Sequence, residues 1–356
     1  VYSKVKEPVR LKFEPDRINH ILGTELDKQT MLGYLEKIDV GKSEPLFQFL
    51  SKTGWYLNLH YTVYFGIIAF IQVFFFFYAF KNERYLFPLL VFLLFTNNEW
   101  TFWMNGIRQA LAMCVWVFSI KYIENKKLWK YIIWCVIAAL FHRSAIILVV
   151  FYPILKNGKD YFKNIPLQLL LLTCAFLIQS VFSNLLMRLE PLINSYANII
   201  GGGAYSSYGF ERIQESFVEQ EGTGLVYLFR LLLNVVIIFY SKRLKLFYNN
   251  KRFTIIYFFF IVGIIIQNMF PVGSIAITRP FRYLYIFQTI MYAFFLYYLY
   301  KTKLFNNTDM KRHTLMYYGL IIIFCGIFYL SIITSNQDAS TWYQFFFEKS
   351  IYGYPN

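Results

Sequence analysis

Mostly apolar stretches follow one another from residue 59 to residue 334, at 59–80, 85–97, 104–123, 129–155, 165–189, 225–241, 253–270, 281–300 and 315–334. A hydrocarbon core ~30 Å thick takes about 20 helical residues per crossing, and only helices or closed barrels satisfy their own backbone groups inside it. Strong period-two alternation is absent, which argues against a barrel. With 57% hydrophobic, 22% aromatic and only 15% charged residues in 356, the chain fits no water-soluble class. The expected fold is all-α: a polytopic integral membrane helix bundle.

Charge in the connecting loops sets an expected orientation. The net charge of +15 does not point to nucleic acid, because the lysines and arginines concentrate in short loops between apolar runs, as the positive-inside rule describes. Basic residues outnumber acidic ones in 81–84, 121–130, 156–163, 242–252 and 301–312, which are expected on the cytoplasmic side. Acidic residues outnumber basic ones in 98–105, 188–224 and 335–356, which are expected to face outward.

One pair of loops breaks the alternation. Both 121–130 and 156–163 look cytoplasmic, yet a single apolar run, 129–155, joins them, and it is interrupted at its centre by Phe141-His142-Arg143-Ser144. A run of that length is too short for two crossings, so the expectation is a re-entrant or broken helix pair near 129–155, with halves at about 129–140 and 144–155. Non-helical backbone at such depth must be buried in protein or line a watery cavity. A single tilted helix is the alternative.

The expected layout is an outer segment over 1–58, a transmembrane bundle over 59–334 that includes an outer loop at 190–224, and an outer tail over 335–356. The chain opens on Val1 rather than Met, which reads as a truncated start. Glu44 to Asn58 mixes Leu46, Phe47, Phe49, Leu50 and Trp55 with polar residues, as an interfacial outer helix does, and 342–354 has a similar character. Cys114, Cys135, Cys174 and Cys325 sit in apolar runs and imply no disulfide framework.

Ionisable side chains at membrane depth are costly and mark functional sites by default. Within the spans and at their outer ends the sequence places Arg108, His142, Arg143, Arg230, Arg279 and Arg282, and none of the spans supplies an Asp or Glu to pair with them. A basic, acid-free outer cavity is therefore expected, with its missing negative charge supplied by a ligand. Arg108 and the pair Arg279 and Arg282 open helices, whose free N–H groups already favour anions, and a guanidinium grips phosphate bidentately. Arg230 reads as a residue snorkelling to the outer interface. The ligand expected is an outward-facing diphosphate. There is no HExxH, no CxxC pair, no Asp-x-Asp cluster and no P-loop, so no metal or cofactor is called for. After Gly201-Gly202-Gly203, a loop carries Tyr205, Tyr208 and Arg212, candidates for stacking on and hydrogen bonding to sugar.

The elements N-G-I-R-Q-A-L-A (105–112), A-L-F-H-R-S-A-I (139–146) and R-P-F-R-Y-L-Y (279–285) resemble the EpsG family of bacterial exopolysaccharide proteins, which belong with the Wzy-type polymerases. The resemblance covers roughly 44–356, with Gly23, Asp27 and Tyr34 as a looser version of the family's outer Gly-x-Asp…Tyr element. It implies a membrane glycosyltransferase of the bacterial inner membrane, its active site facing the periplasm or exterior. The implied substrates are undecaprenyl-diphosphate-linked oligosaccharides, and the implied partners are membrane lipid, a chain-length regulator and a flippase, with no nucleic acid. The implied reaction moves a growing glycan from its lipid diphosphate onto the hydroxyl of a new unit. His142 is then the candidate base, since imidazole titrates near neutrality, and Glu44 the back-up base. Arg108, Arg143, Arg279 and Arg282 are the candidate diphosphate ligands. A lipid-linked oligosaccharide flippase and an O-antigen-type ligase remain the alternatives.

Overall fold

The computed structural model describes residues 44–57, 59–178, 224–270, 279–302 and 309–334, and these form α-helices and 3-10 helices joined by short connections. Residues up to 43, the expected outer loop before Gly224 and the tail from 335 lie outside the described residues. In chain order the elements are α1 Pro45–Tyr56, α2 Tyr61–Ala79, a 3-10 turn Arg84–Leu86 running into α3 Phe87–Thr96, α4 Glu99–Asn105 and α5 Ile107–Glu124. Then come α6 Leu128–Phe141, a 3-10 helix Arg143–Val150 that continues as α7 Phe151–Leu155, and α8 Ile165–Ile178. The remainder is α9 Leu225–Tyr248, α10 Lys251–Met269, a 3-10 turn Arg279–Phe281, α11 Arg282–Thr302 and α12 Asp309–Thr334.

This is a helical membrane bundle, and its elements follow the apolar stretches of the sequence. Among the described residues, Leu225–Tyr248, Lys251–Met269 and Lys311–Leu330 are each long and apolar enough to cross a membrane on their own. The outer helices of the bundle turn apolar residues to the lipid: α2 exposes Phe65, Phe70 and Phe74, and α12 exposes Leu315, Ile322 and Leu330. The two central helices differ. In α5 every residue from Gln109 to Ile120 is buried, and α11 is buried over most of Tyr283–Leu299. Protein shields these helices on all sides, so they tolerate Gln109, Ser119, Gln288 and Thr289, which a lipid-facing helix would expose to hydrocarbon at a cost.

Residues 128–155 form the hairpin that the loop charges anticipate. His142 leaves the α6 ladder in an extended conformation (φ −156°, ψ 112°), and the chain returns along the path by which it came. The Tyr131 hydroxyl donates to the Leu148 carbonyl at 2.7 Å, and the Tyr131 and Tyr152 rings lie 5.8 Å apart. Trp116 of α5 donates to the same hydroxyl at 3.0 Å, fixing the hairpin to the bundle centre. The single tilted helix is thereby excluded. The returning arm begins as eight residues of 3-10 helix where an α-helix is the simpler expectation. A 3-10 rise of ~2.0 Å per residue lets this shorter arm match the ~21 Å reach of α6. Neither arm reaches the ~30 Å of a full crossing.

Four of the basic loops meet at one end of the bundle. Lys251 donates to the carbonyls of Ile123 (3.4 Å) and Lys156 (2.9 Å) and also to that of Glu124. Arg252 lies 3.1 Å from Glu83 and 3.7 Å from Glu124, and Lys245 pairs with Asp160 at 2.8 Å. Lys251 thereby reaches the C-termini of α5 and α7, where carbonyls without intrahelical partners favour a cation. At the opposite end α1 packs on α6 and is pinned to α2, Ser51 and Tyr64 sharing a hydrogen bond of 2.7 Å.

Two helices approach backbone to backbone at Gly263 of α10, where an added Cβ would lie 2.7 Å from the Leu284 carbonyl oxygen of α11. Gly319 of α12, by contrast, has nothing within 4 Å of that position. Gly263→Ala is therefore expected to destabilise the bundle by about 1–3 kcal/mol, read as a fall in melting temperature in detergent, while Gly319→Ala leaves it unchanged. Equal melting temperatures for the two variants would refute the close-approach account.

Candidate active site

Three distant segments converge at the end of the bundle away from the basic loops. Glu44 caps α1, its carbonyl accepting from the Gln48 N–H at 2.9 Å, and its side chain is buried at 3% exposure. Arg108 stands in the first turn of α5, where Gly106 ends α4 and starts α5. His142 is the hairpin tip. Arg108 Nη1 donates to Glu44 Oε2 at 2.7 Å, and His142 Nδ1 lies 2.9 Å from Glu44 Oε1. One carboxylate thus holds a guanidinium with one oxygen and an imidazole with the other.

The protonation pattern follows from the carboxylate. Burial pushes the Glu44 pKa up, but the hydrogen bonds from His142 and from its own backbone N–H, together with the Arg108 charge, outweigh this and hold it at about 2. An ionised carboxylate only accepts, so Nδ1 of His142 donates to Glu44, and Nε2 is the ring nitrogen left for a ligand. The Arg108 side chain is 46% exposed and that of His142 14% exposed, so both remain open to a ligand while Glu44 is sealed behind them. Phe47 of α1 lies 5.9 Å under the Arg108 guanidinium.

The acid-free cavity expected from the sequence is corrected by this arrangement. Glu44 neutralises Arg108, and a second carboxylate, Glu99, sits near enough to Arg230 and Arg282 to interact with their charges. Both acids stand at the start of a short helix just outside the apolar runs, Glu44 before its first residue and Glu99 as its first residue. Folding returns α1 onto α6, and the left-handed turn at Asn98 (φ 64°) starts α4 so that Glu99 meets Thr289 of α11. Hydropathy cannot see either inward turn.

The other candidates divide. Arg143 is exposed next to His142 and has no ion pair among the described residues. Ser144 shares a 3.0 Å hydrogen bond with Tyr283 of α11, which brings the hairpin tip to the first turn of that helix. There Arg282 stacks 3.9 Å over the Phe102 ring of α4. Arg279 opens the 3-10 turn before α11, and its side chain lies outside the described residues, as do Tyr205, Tyr208 and Arg212. Arg230 does not snorkel; its Nη2 donates to the Asn97 carbonyl at 3.1 Å inside the bundle. The network it joins, with Asn97, Glu99, Thr289 and Tyr292, escapes a search for charges alone. Its sequence trace is the i, i+3, i+7, i+10 spacing of Arg282, Tyr285, Thr289 and Tyr292, which puts them on one face of α11.

A depressed carboxylate pKa contributes stability above its unfolded value, near 4.5, and loses it as pH falls toward 2. The melting temperature of the wild type in detergent is expected to exceed that of Glu44→Gln at pH 5, with the gap closing progressively below pH 4.5. A gap that persists undiminished at pH 3 would show that Glu44 does not hold the ion pair.

Comparison with known proteins bears on the same residues. No curated protein and no solved structure matches the chain. The family model described as EpsG family matches residues 23–347, so the match takes in Glu44, Arg108, the hairpin and α11, and begins ahead of the stretch that carries the sequence resemblance. By a match over nearly the whole of its length, the chain belongs to the EpsG family.

Proposed function

We propose that the protein is a membrane polysaccharide polymerase that joins lipid-diphosphate-linked oligosaccharide units, with the Glu44, His142 and Arg108 cluster at its catalytic centre. The observation that carries this reading is the 2.9 Å contact of a buried carboxylate with His142 Nδ1, because it leaves Nε2 available as a base. Membership in the EpsG family supports a polysaccharide polymerase-like role in a membrane. The undecaprenyl diphosphate carrier, the outward-facing site in the bacterial inner membrane and the residue roles are parts of the proposal.

In the proposed reaction the acceptor sugar hydroxyl gives its proton to His142 Nε2 as its oxygen attacks the anomeric carbon of the donor glycan. The bond from that carbon to the phosphate oxygen breaks, and its electron pair leaves with the lipid diphosphate. Glu44 keeps the imidazole in the productive tautomer and stabilises the imidazolium that forms, as the carboxylate does in acyl-transfer triads. This replaces the back-up base role with a positioning one. Arg108 and Arg143, with Arg282 and Arg279 at the start of α11, place positive charge where the leaving diphosphate gathers negative charge. Among the described residues no three His, Cys, Asp or Glu side chains are grouped to hold a metal, and in this reading the clamp consists of guanidinium groups. A flippase has no need of a carboxylate-oriented imidazole, and the dyad favours a transferase over that alternative.

Purified protein in detergent, given lipid-linked units, is expected to build a polymer ladder without a membrane potential or sidedness. Loss of the general base in His142→Ala should slow this by on the order of 10²–10⁴, with the protein folded and single units left unconsumed. Glu44→Gln, which offers Nδ1 an amide and frees the wrong tautomer, should fall in the same range. An unchanged ladder from His142→Ala would overturn the catalytic assignment, and no ladder from the wild type would favour the transporter.

A further inference from the structure

A second polar cluster lies deeper in the bundle than His142, and the clamp described above does not use it. The α11 face that begins with Arg282 continues through Tyr285 and Thr289 to Tyr292, so polar groups descend ~15 Å along one helix. Opposite Thr289, a directional relay links two elements: Asn97 Nδ2 donates to Thr289 Oγ1 at 2.7 Å, and Thr289 Oγ1 donates to Glu99 Oε1 at 2.9 Å. One turn further in, Tyr292 and Gln288 both donate to Asn234 of α9, at 3.0 Å and 3.2 Å. The Arg230 guanidinium completes the wall through its bond to the Asn97 carbonyl.

Three buried polar atoms in this cluster have no hydrogen-bond partner among the described residues: Asn97 Oδ1, Arg230 Nε and the Tyr285 hydroxyl. Asn97 is only 5% exposed, and a buried polar atom left unbonded is costly enough that native interiors rarely keep one. Glu99 lies near enough to Arg230 and Arg282 to interact with both charges, and Glu99 and Arg230 form no ion pair among the described residues. A carboxylate beside guanidinium, amide and phenol groups offers acceptors and donors together, so a neutral molecule rich in hydroxyls can donate to Glu99 and Asn97 and accept from Arg230 and Tyr285.

Resting on the polymerase reading, we infer that the cluster of Asn97, Glu99, Arg230, Tyr285 and Thr289 is a carbohydrate subsite. It grips hydroxyl groups of a lipid-linked glycan whose diphosphate lies at Arg108 and Arg282. Two turns of α11, ~10 Å, separate Arg282 from Thr289, a spacing on the scale of a short saccharide. The division of labour is chemical: Arg108, Arg143 and Arg282 suit the diphosphate, and the mixed donors and acceptors further in suit the uncharged part.

The test compares two probes by binding to full-length protein carrying His142→Gln, which stops turnover. One probe is the undecaprenyl-diphosphate-linked oligosaccharide purified from a polymerase-deficient host, and the other is undecaprenyl diphosphate without sugar. Glu99→Gln and the nearly isosteric Thr289→Val, each added to that parent, are expected to weaken the glycan-bearing lipid about tenfold and leave the bare lipid unaffected. Equal weakening of both probes would make Glu99 part of the diphosphate site, and no weakening of either would make the cluster a structural network; each overturns the inference alone. A parent that binds both probes with the same affinity also overturns it. A parent that binds neither overturns the polymerase reading and the inference with it, an outcome told apart because the failure precedes any change at Glu99. Melting temperatures matching the parent's exclude misfolding, and Thr289→Val keeps the comparison open if Glu99→Gln is unstable.

Discussion

A carboxylate shut away from water is tolerable only if cations and donors replace its hydration, and Glu44 takes those partners from segments 64 and 98 residues further along the chain. Removing either partner leaves the buried carboxylate less compensated, a loss that solvent reaching the half-exposed Arg108 side chain partly offsets. The three side chains therefore tie α1, the first turn of α5 and the hairpin tip into one unit. It also has a chemical effect, since the same oxygen that anchors the hairpin decides which ring nitrogen of His142 bears hydrogen. Stability and proton placement are consequences of one contact here.

Around that contact an aromatic-rich core holds a few buried polar side chains inside an apolar outer shell. Helices α5 and α11 run through the centre, protected from lipid, and carry the side chains that meet the hairpin and the deeper cluster. Helices α2 and α12 present aromatic and aliphatic side chains outward. The end bearing the basic loops is tied together by lysines and an arginine on carbonyls and carboxylates, and the opposite end holds Glu44, Arg108 and His142. Tyr283 and Ser144 connect the two central features, so a displacement of α11 would be felt at His142 through a single hydrogen bond.

Hydropathy and loop charge are enough to locate the helices, and the parity conflict between loops 121–130 and 156–163 is enough to reveal the hairpin before any coordinates. The FHRS element and Arg108 stand out because ionisable groups in apolar runs are rare. Glu44 and Glu99 are harder to place. Each belongs by composition to a polar connection, and only the path of the chain, a helix folding back at Glu44 and a left-handed residue at Asn98, turns them inward. Arg230 misleads for the opposite reason: its position near a helix end suits a snorkelling residue, and its true partner is a carbonyl 133 residues away in sequence. Side-chain pairing across such separations leaves little trace in a single sequence.

The hairpin enters and leaves the bundle at the same end, as the shared neighbourhood of Glu124, Lys156 and Lys251 shows. It therefore adds two arms without turning the rest of the chain over. An element that is neutral to parity in this way is a replaceable insert: its tip can be rebuilt, lengthened or lost while every later helix keeps its direction. The chemistry most dependent on exact placement is thus carried by the piece of the architecture whose remodelling disturbs the remaining topology least.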